Sequence, residues 1–128
     1  MRFASLVPQP LVACILTVLA VAAAWADGVT EFRDAAELTV KETDRVATTA
    51  AALTSLGIAA EGRPDGLVVR GGGRLRGAEV DSGGDHRIAM AFAVAALRAQ
   101  GESMIHGAES AKISCPEFFT MLESVTER

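Results

Sequence analysis

Apolar residues recur along this chain with two different periods, and the switches between them mark the elements. From Leu11 to Ala24 they run together, broken only by Thr17. Such a run followed by Asp27-Gly28 predicts a buried helix with glycine as its C-terminal stop. Val29–Phe32 predicts a short strand. Val46, Ala50, Leu53 and Leu56 then return at helical spacing, with Gly57 as the stop. Thr39-Val40-Lys41-Glu42 has the form of a capping box for that helix, and Thr43 offers a second N-cap. Ile58–Glu61 and Leu67–Arg70 predict two strands joined by Arg63-Pro64-Asp65-Gly66, a turn signal with a mechanism. Gly71-Gly72-Gly73 reads as a mobile loop. Ala78–Val80 predicts another strand. Ser82-Gly83-Gly84-Asp85 opens a helix reaching about Arg98, with Ile88, Phe92 and Ala95 on one face, and Gly101 ends it. Ser103–His106 predicts a strand. A last helix starts at Ser114-Cys115-Pro116-Glu117, a capping box with proline in its first turn, with Phe118, Phe119 and Leu122 on its apolar side.

Helices alternating with strands predict an α/β layer. Two related supersecondary units are expected, one ending near Arg70 and one near His106. The 128 residues allow one domain, with burial of roughly two thirds of the unfolded surface. A hydrophobic share of 50% excludes an intrinsically disordered chain. The net charge of −4 argues against a nucleic-acid-binding module. Cys14 and Cys115 stand far apart, outside any CxxC or Cys/His group, which argues against a zinc site or a disulfide scaffold.

The first 28 residues fit a second reading. Arg2, the apolar run and the small-x-small trio Ala24-Trp25-Ala26 have the layout of a secretory signal peptide. The run is shorter than the about 20 residues that a membrane span needs.

Two charged clusters stand at strand-to-helix junctions: Lys41-Glu42-Thr43-Asp44-Arg45 and Gly83-Gly84-Asp85-His86-Arg87. Cations at a helix N-terminus oppose the macrodipole. They make sense where an anion sits between them, because helix amides and basic side chains together hold phosphate or carboxylate. Lys112, just before the third helix start, can join them. The competing account is solvated surface charge. Glu42 is the carboxylate among these cations that can act as a general acid or base; Lys41 and Arg45 push its pKa down and burial pushes it up. His86 can transfer a proton or donate to a phosphate. Gly71–Gly73 lacks the GxxxxGK[ST] pattern, and no GxGxxG follows a strand, so nucleotide binding of those kinds is unsupported.

The stretches Arg33–Arg45, with Lys41-Glu42-Thr43-Asp44-Arg45 at its end, and Gly84–Leu97, with Gly84-Asp85-His86-Arg87-Ile88-Ala89-Met90 at its start, resemble signatures of the 5-enolpyruvylshikimate-3-phosphate synthase family. Pro64-Asp65-Gly66-Leu67 and Pro116-Glu117-Phe118-Phe119 also look like that family. The resemblance runs in one register from about Leu16 to about Val125. It implies part of an enolpyruvyl-transferase domain, an inside-out α/β barrel of repeated βαβαββ-like units, about the latter half of the second domain. It implies transfer of the enolpyruvyl group of phosphoenolpyruvate to the 5-hydroxyl of shikimate 3-phosphate in the cytoplasm, with neither metal nor organic cofactor. By position, Lys41 resembles a shikimate-phosphate contact and Glu42 the proton-transfer residue. Arg45 and Arg87 resemble the phosphoenolpyruvate clamp, flanked by His86. Lys112 resembles the last phosphoenolpyruvate lysine, although Ile113 stands at the spacing that the family often gives it.

The family enzyme is more than three times this length and binds both substrates between two domains. Counting back from Gly28, Cys14 stands where the family's Ile-Pro-Asp motif has a catalytic aspartate. Upstream of Leu16 the family pattern is lost, so residues 1–15 are expected to be a leader outside the family and 16–128 the C-terminal part of the domain, as in a truncated or frameshifted reading frame. The isolated chain is then expected to be inactive without a complementary N-terminal fragment. The rival functions are an anion-binding module using Lys41, Arg45, Arg87 and Lys112, and a secreted small domain released after Ala26.

Overall fold

The computed structural model describes residues 9–40 and 44–126, with side chains from Leu16 onward. The chain order is α1 (Gln9–Trp25), β1 (Gly28–Phe32), a 3-10 helix (Ala36–Val40), α2 (Arg45–Ser55), β2 (Ala59–Arg63), β3 (Gly66–Gly71), β4 (Glu79–Asp81), α3 (His86–Ala96), β5 (Met104–His106), a second 3-10 helix (Ala108–Ile113) and α4 (Phe118–Thr126). The expected alternation of helices and strands is present, and the two 3-10 helices are additions to it.

β3 is the centre of a three-stranded antiparallel sheet in the order β1-β3-β2. Phe32 pairs with Leu67, and Thr30 and Ala60 both pair with Val69. Pro64-Asp65 makes the β2–β3 turn, as its sequence requires, and Asp65 O accepts from Ala35 N at 2.7 Å, which ties the turn to the segment after β1. As the central strand, β3 buries Leu67, Val68 and Val69 together, whereas β2 is largely exposed.

β4 and β5 form a parallel pair, Val80 opposite Ile105. Parallel neighbours need a crossover, and α3 supplies it. This makes β4–α3–β5 a unit whose helix leaves the C-terminal end of β4. One apolar core unites both sheets with the helices: Leu16, Ala20 and Ala24 of α1, Leu53 of α2, Leu67 and Val69 of β3, Val80 of β4, and Ile88 and Phe92 of α3 all belong to it. α1 thus packs into the core through residues on both sides of Thr17, and Ala24, the first of the small-x-small trio, is fully buried. Among the described residues no helix is long and apolar enough to cross a membrane.

Four local expectations are corrected. The N-cap of α2 is Asp44, whose Oδ1 accepts from Ala47 N at 3.0 Å. Thr39 is not the N-cap of α2: it lies inside the 3-10 helix, where its hydroxyl donates back to Ala36 O at 2.7 Å. Thr43, the other candidate, lies outside the described residues. Secondly, Gly71–Gly73 is docked rather than loose. Gly71 is the last residue of β3, so close to the carbonyls of Ala23 and Ala26 that no side chain fits, and Gly72 N donates to Ala24 O at 3.2 Å. Thirdly, α3 ends at Ala96, with Leu97 as its C-cap, rather than at Arg98. Fourthly, Ser114 closes the second 3-10 helix instead of opening α4, which begins at Phe118 and buries no residue fully.

Candidate functional site

The site is built where helices leave strands. After β4, Ser82 turns the chain: its N–H donates to His106 O at 3.1 Å and its hydroxyl accepts from Gly84 N at 3.3 Å. Asp85 follows in extended conformation and caps α3, its Oδ1 accepting from Arg87 N at 3.0 Å. Aspartate is among the strongest N-caps, because its oxygen meets amides that have no partner within the helix.

The same carboxylate reaches a second helix. Arg45, first residue of α2, donates from Nε to Asp85 Oδ2 at 2.8 Å. Arg45 is 3% exposed and Asp85 0%. One buried aspartate therefore joins the starts of α2 and α3. This changes the reading of the first cluster. Arg45 is not solvated surface charge: it is buried against a fixed carboxylate that offsets part of its charge. A buried guanidinium needs such a partner, since an uncompensated charge in the interior is strongly unfavourable.

The other expected site residues are placed as follows. His86 and Arg87 occupy the first two positions of α3, both half-buried. The Arg87 side chain borders a groove between α1 and α3, with Val18, Val21, Trp25, Met90 and Val94. Lys112 is exposed in the last turn of the second 3-10 helix, beside buried Ala111. That helix follows the C-terminal end of β5 and packs on α3. Gly107, at its start, has φ +74° and sits so close to the Ser82 hydroxyl that a Cβ there would meet it at 2.5 Å. The structure thus brings together the helix starts bearing Arg45, His86 and Arg87, with the element bearing Lys112 beside them. The last three of these residues follow the C-terminal ends of parallel strands, where open α/β sheets bind their ligands. Lys41 and Glu42 lie outside the described residues, between the 3-10 helix ending at Val40 and the cap at Asp44. Cys14 falls in the second turn of α1, not at a helix start.

The sequence reading missed Asp85 as a site residue. Its signal was present, since an aspartate directly before a helical run is an N-cap pattern. The pairing with Arg45, 40 residues away, had no local sign. Among the described residues no group of three or more His, Cys, Asp and Glu side chains is placed to hold a metal ion.

Comparison with known proteins bears on this arrangement. Residues 10–122 match the sequence profile of EPSP synthase (3-phosphoshikimate 1-carboxyvinyltransferase). A protein of that name from Roseiflexus castenholzii is 54% identical over 112 residues, which is 88% of this chain and 26% of the relative. The namesake from Solibacter usitatus is 57% identical over 113 residues, again 88% of this chain and 26% of the relative. The structure of EPSP synthase from Acinetobacter baumannii superimposes with a TM-score of 0.85 at 38% identity, covering 91% of this chain and 28% of that one. The chain spans about a quarter of the length of the curated relatives it matches. With a profile match over most of its length and the same fold, this chain belongs to the EPSP synthase family.

Proposed function

We propose that the chain carries part of the anion-binding side of an enolpyruvyl-transfer site. In that reaction the enolpyruvyl group of phosphoenolpyruvate passes to the 5-hydroxyl of shikimate 3-phosphate, and phosphate leaves after a tetrahedral addition intermediate. The observation that carries the reading is the junction at Asp85, which brings the helix starts bearing Arg45, His86 and Arg87 to one place. Both substrates are polyanions, and helix N-termini with basic side chains suit them. In this reading Arg45 and Arg87 hold phosphoenolpyruvate with Lys112, and His86 flanks them. Lys41 contacts the shikimate phosphate, and Glu42 moves the proton at the enolpyruvyl methylene. In this reading residues 16–128 form the C-terminal part of an enolpyruvyl-transferase domain. The reading goes with a cytoplasmic protein.

Positioning two substrates can supply about 7–11 kcal/mol of the barrier to a bimolecular transfer. The rest of the family's length is therefore needed for turnover, and it can be added as a separate polypeptide. The test mixes this chain with a separately expressed polypeptide covering the remaining length of the Roseiflexus castenholzii relative and measures phosphate release from the two substrates. Release is expected from the mixture, absent from either part alone, and lost with Arg87→Ala. A stable complex of the two parts that releases no phosphate overturns the reading. Tight binding of shikimate 3-phosphate by the lone chain instead favours an anion-binding module.

A further inference from the structure

The Arg45–Asp85 contact points to a role beyond holding the core together. Arg45 stands at the first position of α2, and its Nε is bonded at 2.8 Å to a carboxylate that is wholly buried. That carboxylate is itself anchored, because its other oxygen accepts from the α3 backbone at Arg87. An arginine side chain in water samples many rotamers, and fixing it costs entropy at the moment a ligand binds. Here the ordering is already done: the aspartate cannot turn without uncapping α3, and Arg45 Nε–H cannot turn without leaving the aspartate. We propose that Asp85 is a positioning residue, which presets the Arg45 guanidinium for an anion at the start of α2. This rests on the anion-binding reading of the same site.

The sign of a charge-removing substitution separates this from plain electrostatics. Removing a carboxylate near an anion site strengthens anion binding if only Coulomb interaction matters. If Asp85 acts by positioning, Asp85→Asn weakens binding even though the site has become more positive. Asparagine caps helices about as well as aspartate, so the α3 start is kept. Asp85→Glu retains the charge and moves it by one methylene, so it changes geometry without changing net charge.

The experiment uses the full 128-residue chain and follows arginine Nε–H resonances by NMR, with inorganic phosphate as the probe. In the unsubstituted chain the Arg45 Nε–H signal is expected to exchange far more slowly than those of exposed arginines and to shift with millimolar phosphate. Both Asp85→Asn and Asp85→Glu are expected to speed that exchange and to weaken phosphate binding by about tenfold or more, as misplacement of an oriented group does. An Arg45 Nε–H that exchanges as fast as the exposed ones overturns the proposal, even if neither variant folds, and leaves the anion-binding reading standing when phosphate still binds. A folded variant that binds phosphate as tightly as the parent, or more tightly, also overturns it. A protected Nε–H with no phosphate response overturns the anion-binding reading, and the proposal falls with it.

Discussion

Arg45 Nε and Asp85 Oδ2 lie 2.8 Å apart across 40 residues of sequence, and neither side chain meets solvent appreciably. Breaking such a pair leaves one buried charge alone, at a cost of about 3–5 kcal/mol. Asp85→Ala is expected to fall in that range, with about 1 kcal/mol more for the lost cap. Removing both charges avoids the stranded ion. Arg45→Met with Asp85→Asn is therefore expected to be more stable than the sum of the two single changes allows. A double-mutant cycle by urea unfolding measures this, and additivity of the two would count against a coupled pair.

At the start of α2, Asp44→Ala is expected to destabilise by about 1 kcal/mol. Thr39→Ala is expected to have a smaller effect, because among the described residues Thr39 bonds within its own 3-10 turn. Thermal melts of the two variants check the assignment, and a larger loss at Thr39 would return the cap to the earlier position.

Gly71 faces the carbonyls of Ala23 and Ala26 with no room for a methyl group. Gly71→Ala must push the end of α1 away from β3, and about 1–3 kcal/mol of destabilisation is expected from such overpacking. Gly73→Ala, whose nearest neighbour is the flexible tip of Ile58 at 3.2 Å, is expected to cost less. The comparison is a pair of denaturation curves.

Phe92 is wholly buried at the centre of α3. Phe92→Ala is expected to cost about 3–5 kcal/mol, a large part of the stability of a chain this size. Val94→Ala, on the exposed side of the same helix, is expected to change stability little. Circular dichroism at matched temperatures distinguishes them.

Much of the fold was legible because its signals are local. Pro64-Asp65-Gly66 fixed a hairpin turn, and Ile88, Phe92 and Ala95 marked the buried face of α3 where the structure has it. The errors arose where tertiary contacts override local pattern. Thr39 looked like a cap, but the chain forms a 3-10 turn first. Gly71–Gly73 looked free because the α1 carbonyls that receive it are about 45 residues away in sequence. The site was half legible for the same reason. Charged residues at helix starts could be read off and suggested an external anion. That an internal carboxylate already meets Arg45 is a property of the folded chain, since nothing near Arg45 in sequence announces Asp85.

Trp25 is the single tryptophan of a chain without tyrosine. It ends α1, where the Arg98 guanidinium lies 5.5 Å from its ring and its indole N–H is buried with no hydrogen-bond partner among the described residues. Ultraviolet emission from this protein therefore reports one place only, the seam where the first helix meets the end of the third. Undocking of α1 would hydrate the indole and move the spectrum to longer wavelength, so the chain carries its own optical gauge of whether its first helix is seated.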